Sequence, residues 1–438
     1  MKARLVPVYF VKGRDKDFDL QLDRLRELFA DQAEFLPPVG LGESLPEADA
    51  VVFPQFLGEA YHSLEAFKSI KMPILVITSE FGTVLMWDWE IVSYLRSEGV
   101  ETIAPSSLDQ TRKLLGALQV KRQLRGTRFL VFQDNPGEGF QSEIFKRFYW
   151  FEDECIQRMQ HKFGVEIVKS SFRKLAAEAK QVSDEEAHRV INERQFAVQG
   201  LAPRAVHSAA KIYLKVKREL EAMDAVGAVG INCLNESRYS DTTPCLAWNL
   251  LYEEQGMIWG CEADIVTMLT KYLLHKSLGM PIMMTNLYPF LMGKAALAHE
   301  RIPRFPTVDQ PENHILAAHC GYLGVVPQSF ATEWTLSPKV LRIVDDNATA
   351  IDARLPVGDM TLAKFAPSFE EMTVAEGELE SYVQYENSDC LNGAILKVPD
   401  GRRMLDRILS HHYLLMKGHW QDDINLLGKV FDFQVMQL

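Results

Sequence analysis

Four short stretches of this 438-residue chain gather side chains capable of acid–base or metal chemistry within apolar surroundings. The first is Gly260-Cys261-Glu262-Ala263-Asp264, followed by an apolar helical pattern at Ile265, Met268, Leu269, Tyr272 and Leu273. That pattern stops at Gly279, with Pro281 just beyond. Glu262 and Asp264 therefore stand at a helix N-terminus, where free backbone N–H groups and the helix dipole stabilise a carboxylate. Taken alone, a capping role explains Glu262 better than catalysis does, and Asp264 suits capping better still. The second stretch, Pro281-Ile282-Met283-Met284-Thr285-Asn286-Leu287, reads as a buried strand of an open α/β sheet that delivers Thr285 and Asn286 at its carboxyl end, where ligands gather. The third is His314-Ile315-Leu316-Ala317-Ala318-His319-Cys320-Gly321, whose small residues let His319 approach a cleft. A lone histidine is more often a satisfied core residue, and one Cys–His neighbour pair lacks zinc-site spacing. The fourth, from Ser410 to Trp420, places His411, His412 and His419, three of eleven histidines, within nine residues. A carboxylate, an amide or hydroxyl, and imidazoles without thiolates form a set suited to Mn²⁺, Mg²⁺ or a similar ion.

These residues need elements to bring them together. Up to about residue 120, strands from Leu5 to Val11, Ala50 to Phe53 and Pro73 to Thr78 alternate with helices from Phe18 to Ala30, Tyr61 to Ile70 and Ser107 to Gln119. Alternation with helix-length connections predicts parallel βαβ units. A new first strand at Phe129-Leu130-Val131-Phe132-Gln133 opens a second α/β unit with strands at Val165 to Val168 and Val226 to Ile231. Beyond Val326 the texture changes to short alternating segments, among them Trp334 to Val344, Met360 to Phe365, Glu371 to Ala375, Glu378 to Tyr385 and Ala394 to Val398. That predicts a small antiparallel sheet or barrel. The expected architecture is two doubly wound parallel α/β domains, 1–120 and 121–326, followed by a β-rich domain, 327–438.

Composition narrows the function. A net charge of −12 lacks the basic footprint that nucleic-acid binding needs. No apolar run is long enough to span a membrane, and the first residues read as a strand rather than a signal peptide. Six scattered cysteines without a Cys-x-x-Cys pair suit a reduced cytoplasm.

In these same pieces, spread in order over roughly the last 210 residues, the chain resembles the L-fucose/L-arabinose isomerase superfamily. Ile231-Asn232-Cys233, Pro244-Cys245-Leu246-Ala247, Gly256 and Gly260-Cys261-Glu262-Ala263-Asp264 resemble the family's approach to its first metal carboxylate, which falls on Glu262. The strand ending in Thr285-Asn286 resembles the one carrying the second carboxylate. Ala318-His319-Cys320 through Val326-Pro327 resembles the arabinose branch's metal-His segment, and His412 through His419 the fucose branch's. Val357-Gly358-Asp359-Met360-Thr361-Leu362 resembles a recurring piece of the C-terminal domain. The resemblance implies Glu262, Asn286, His319 and His412 as ligands of Mn²⁺ (or Co²⁺ or Mg²⁺), with Glu262, Asn286 and Asp264 in catalysis. It implies a homo-oligomer, trimer or hexamer, with His419 facing a sugar substrate; in the N-terminal half, where only the general layout matches, Trp87 either faces that substrate or packs with Trp89 in the core.

Such enzymes interconvert an aldose and a ketose through an enediol, with the metal as Lewis acid and a carboxylate moving the proton between C1 and C2. Here the second carboxylate position falls on Thr285 or Asn286, neither of which can shuttle a proton near neutral pH. One fewer negative charge favours an anionic sugar. The missing acid keeps two other readings open: a non-catalytic sugar-binding or regulatory protein, and a metal-dependent lyase or epimerase.

Overall fold

The computed structural model describes residues 1–10, 14–54, 58–78, 88–134, 144–233, 239–289, 304, 306–319, 326–339, 345–385 and 391–438. It is a mixed α/β protein with two parallel sheets and a closed antiparallel barrel. The chain divides into two compact units.

The first unit comprises Met1–Arg125 together with Lys276–Leu278 and Asp422–Gln434. Its strands are β1 (Ala3–Tyr9), β2 (Ala33–Phe35), β3 (Val39–Gly40), β4 (Ala50–Phe53), β5 (Ile74–Val76) and β6 (Thr102–Ile103). They pair in the order β2-β1-β4-β5-β6, all parallel, with β3 also on β1. All four residues of β4 are buried, as expected of a parallel strand covered on both faces. The helix Lys16–Leu28 starts where Asp15 accepts the Phe18 amide at 2.9 Å, and it buries Phe18, Leu22 and Leu25. The helix Leu108–Leu124, capped by Ser107, continues beyond residue 121.

The second unit comprises Gly126–His275, Gly279–Gln421 and Val435–Leu438. It begins with β7 (Arg128–Phe132), β8 (Glu166–Ser170), β9 (Val226–Ile231) and β10 (Ile258–Cys261). These form a parallel sheet in the order β10-β9-β7-β8. Phe132, Ile231 and Cys261 lie side by side across β7, β9 and β10. The helix Ile265–Leu278 follows β10 and ends at Gly279 in the left-handed conformation (φ 66°), as the stop signal predicts.

The chain then builds the barrel from β11 (Ile282–Pro289) and β12 (His314–Ala318). After a side pair, β13 (Glu333–Pro338) with β14 (Thr349–Arg354), come β15 (Gly358–Phe365), β16 (Glu371–Val383), β17 (Gly393–Lys397) and β18 (His412–Lys417). The order β15-β18-β11-β12-β17-β16 closes through β16 on β15, and β19 (Gln434–Gln437) adds outside β16. Two expectations change here. The segment from Glu371 to Ala375 and most of that from Glu378 to Tyr385 form one long strand, Glu371–Val383, with a register shift against β17 between Leu379 and Ser381. The Thr285-Asn286 strand is an antiparallel barrel strand, not part of an open α/β sheet. A continuous apolar run looks alike in both settings, because both bury the strand's two faces. Among the described residues no helix is long and apolar enough to cross a membrane.

Barrel closure leaves no room at Gly393, where a Cβ would lie 2.1 Å from the Ala317 carbonyl oxygen and 2.8 Å from Ala318 Cα. Gly393→Ala is predicted to destabilise by about 1–3 kcal/mol, through backbone displacement in the β12–β17 pair. Thermal denaturation checks this; an unchanged Tm would show that the pair is looser than described.

Candidate metal centre

The turn from β10 into the following helix positions the two acids. Glu262 (φ 54°) and Ala263 (φ 57°) are consecutive non-glycine residues in the left-handed region. Such residues cost on the order of 1–3 kcal/mol each and persist only where the surroundings impose them. The turn is closed by the Asp264 amide donating to the Cys261 carbonyl at 3.1 Å. It is held close to the sheet because Gly230 and Gly260 have no side chain. A Cβ at Gly260 would lie 2.2 Å from Met268 Cγ, and one at Gly230 would lie 3.2 Å from Ala263 Cα.

Asp264 is wholly buried and caps the helix. Its Oδ1 accepts the Thr267 amide at 2.8 Å. Its Oδ2 accepts the Thr267 hydroxyl at 2.7 Å, Lys364 Nζ at 3.0 Å and His412 Nδ1 at 2.9 Å. Lys364 comes from β15 and His412 from the start of β18, and both are wholly buried. Burial pushes the Asp264 carboxyl up, but the Lys364 charge and then His412 outweigh it and hold the group well below the usual carboxylate range. A carboxylate only accepts, so His412 Nδ1 must carry the proton. Whenever the ring is neutral, the other nitrogen, Nε2, therefore carries the free lone pair. It lies 3.8 Å from Glu262 Oε2, beyond hydrogen-bonding distance, and is buried without a hydrogen-bond partner.

The same logic holds for His319. Its Nδ1 meets Asn286 Oδ1 at 3.1 Å, while the Asn286 amide nitrogen donates to the Tyr288 hydroxyl at 3.3 Å. His319 Nε2 is also buried and unpartnered. The His319 ring stands edge-on to His412, centroids 5.7 Å apart. His411 tilts against His412 at 4.1 Å, and Tyr149 stacks on it at 5.5 Å with ring planes 3° apart. The Tyr149 hydroxyl donates to Glu262 Oε2.

Among the described residues, Glu262, His411 and His412 offer donor atoms that all lie within 4.8 Å of one another, with His319 at the edge of the group. An orphaned Nε2 whose ring is fixed through Nδ1 by a carboxylate or amide is the arrangement in which a histidine ligates a metal. The donor set therefore fits a divalent cation. Burial pushes the Glu262 carboxyl up, but the attraction of His412, then His319 and His411, holds it below its ordinary value. Burial, reinforced by the charge of His412, pushes His319 and His411 down to about 3, so both rings are neutral near pH 7. Burial also works against a charged His412, but its bond to Asp264 and the pull of Glu262 raise its pKa overall.

Four residues expected at the site, Glu262, Asp264, His319 and His412, meet here, and Asn286 supports His319. Asn286 rather than Thr285 faces the cluster: it lies directly opposite His412 in register, whereas Thr285 Oγ1 donates to its neighbour's carbonyl. Asp264 sits behind His412 with both oxygens occupied, which gives it a positioning place rather than a catalytic one. His419 stands apart, at the other end of β18. It is exposed and lies within 3.3 Å of Asp359 and 3.2 Å of Glu376. Trp87 lies outside the described residues. The sequence reading passed over Tyr149, Lys364 and His411 as site residues. The visible signal was a lysine in the apolar run Leu362-Ala363-Lys364-Phe365 and the doublet His411-His412 at the start of a strand.

No protein-family profile matches the chain, and no curated protein matches it either.

Removing one partner of a buried ion pair leaves an uncompensated charge, whereas removing both does not. Lys364→Met is predicted to destabilise by about 3–5 kcal/mol, and Lys364→Met with Asp264→Asn by clearly less than the sum of the two single changes. Denaturant unfolding checks this. Additive effects would mean that the two charges do not depend on one another.

Proposed function

We propose that this protein is a metal-dependent aldose–ketose isomerase of the L-fucose/L-arabinose isomerase kind, with its centre at Glu262, His412, His319 and His411. The observation that carries this reading is the pair of buried, unpartnered Nε2 atoms on His412 and His319 beside a buried carboxylate. Three imidazoles and one carboxylate favour Mn²⁺ or Co²⁺ over Mg²⁺, which prefers oxygen ligands. Such an ion, held by Glu262, His412, His411 and His319, would supply Lewis acidity toward negative charge that develops on substrate oxygen.

The chain's own residues do the rest. Asp264 cannot accept a substrate proton, because both its oxygens are already engaged. Glu262 takes the proton from one carbon and returns it to the next. It is held below its ordinary pKa chiefly by His412 despite its burial. The Tyr149 hydroxyl, bonded to Glu262, is placed to exchange a proton with a substrate oxygen. The charges also fit. Lys364 cancels Asp264, so Glu262 with a divalent ion leaves one net positive charge, which matches one enediolate or one anionic group on the sugar. Asn286 in place of a second carboxylate supports a second reading, a sugar-binding protein on the same scaffold without turnover.

Adding Mn²⁺ or Co²⁺ is predicted to raise Tm, by an amount equivalent to about 2.7 kcal/mol at a hundred times Kd, and Mg²⁺ to do so far less. Glu262→Gln and His412→Ala should abolish the shift, and Asp264→Asn should weaken metal binding about 10–100-fold without touching the ion. With Mn²⁺ in D₂O, at least one aldose, neutral or anionic, should exchange its C2 proton, and Glu262→Gln should not support this. Metal binding and aldose-induced stabilisation without exchange for any aldose would establish the binding protein instead. No metal shift at all would overturn both readings.

A further inference from the structure

The centre has a second polar group beside it that the metal reading does not use. In the sheet order β10-β9-β7-β8, the chain leaves β7 toward one edge and β9 toward the other, so the carboxyl ends of β7 and β9 flank a switch point. Phe132, Ile231 and Cys261 are matched in register there. The next residue of each strand is Gln133, Asn232 and Glu262 respectively. Neighbouring strands are about 4.8 Å apart, so this row is about 10 Å long and ends on the proposed metal carboxylate.

The backbones of Gln133 and Asn232 are satisfied: their amides donate to Ser170 and Phe132 carbonyls at 2.9 and 3.2 Å. Their side chains are not. Asn232 is 1% exposed and both its Oδ1 and Nδ2 lack a partner; Gln133 is 6% exposed and its Oε1 lacks one. Buried polar atoms are almost always paired, and each unmade bond costs about 1–3 kcal/mol. Three such atoms in one row that ends on Glu262 call for a ligand that completes them. A neutral amide that both donates and accepts matches a hydroxyl group, which does the same, better than it matches a phosphate or an apolar chain.

We propose that Asn232 and Gln133 form a hydroxyl-binding subsite that holds the open chain of a polyhydroxy substrate beyond the two oxygens that meet the metal end of the row. This deepens the isomerase reading and rests on it. Asn232 and Gln133 are specificity-determining residues, reading the hydroxyls on carbons remote from the proton transfer. Because no protein group pairs Asn232 Oδ1, Asn232 Nδ2 or Gln133 Oε1, replacing these side chains with apolar ones removes no protein partner from those atoms.

The test uses linear alditols, which carry the hydroxyls of an open-chain sugar but cannot isomerise. Ribitol, arabinitol, xylitol, mannitol, sorbitol, galactitol and their terminal phosphates are titrated into the Mn²⁺-loaded full chain, wild type and the variants Asn232→Leu, Asn232→Ser and Gln133→Leu. The expected result has three parts. The Mn²⁺-induced rise in Tm is the same in every variant. The metal-free Asn232→Leu protein is at least as heat-stable as wild type. The best alditol binds the Asn232 variants at least tenfold more weakly, with a smaller loss for Gln133→Leu. If wild type binds an alditol and all three variants bind it equally well, the subsite assignment falls while the isomerase reading stands. If wild type binds Mn²⁺ but none of these alditols, the isomerase reading falls and the subsite with it.

Discussion

A single buried carboxylate, Asp264, joins the parts of the second unit that make the site. It caps the helix leaving the parallel sheet, takes the ammonium of Lys364 from β15 and fixes the ring of His412 from β18. None of these groups is solvent-exposed. Desolvating an acid and an ammonium costs several kcal/mol for each, and the cost is recovered only when geometry and hydrogen bonding are complete. Oδ2 has three donors around it and Oδ1 has one, so the pair is completed. The sheet–helix turn and two barrel strands are thereby tied at one point, and that point lies directly behind the proposed ligand His412.

The chemistry of the site follows from that tie. Because Asp264 only accepts, it dictates which nitrogen of His412 bears hydrogen and which is left bare. Asn286 does the same for His319 with a weaker, neutral acceptor. His412 Nε2 lies bare 3.8 Å from a carboxylate held in a strained left-handed turn, with the His319 ring edge-on to His412, and strain of that kind is retained where a fold has a use for it. The amide at 286 has a further consequence. A second acid there would cancel the remaining positive charge of a metal-loaded site, whereas an amide leaves it for the substrate's own negative charge. On the proposed reading, an amide rather than a carboxylate at 286 favours a substrate that brings its own negative charge.

Much of this could be read from residue order. The Asp264 cap, the Gly279 stop and Pro281 beyond it are short-range signals, and the helix between them lies where they predict. The alternation of strands and helices before residue 232 was legible for the same reason. Glu262, His319 and His412 stood out because polar groups in apolar runs are conspicuous. What was hidden depends on distant pairing. That Ile282–Pro289 is a barrel strand rather than a sheet strand is decided by its neighbours β12 and β18, which begin only at His314 and His412. The positioning role of Asp264 needs Lys364 and His412, at 100 and 148 positions away, to be seen at all. His411 was passed over although it adjoins His412. It precedes β18, so the strand rule that neighbours face opposite ways does not reach it. His419 misled through proximity in sequence: a strand advances about 3.3 Å per residue, so β18 carries it to the far end.

The central claim is that Glu262 and imidazole nitrogens, His412 first among them, hold one divalent ion between them. Pulsed electron paramagnetic resonance of the Mn²⁺-loaded protein tests this most directly, because a nitrogen bound to the ion leaves its own hyperfine coupling in the spectrum. The account predicts couplings from at least two imidazole nitrogens at one site per chain, reduced by one in His412→Ala. A Mn²⁺ spectrum free of nitrogen coupling, unchanged by that substitution, would place the ion on oxygen ligands elsewhere and contradict it.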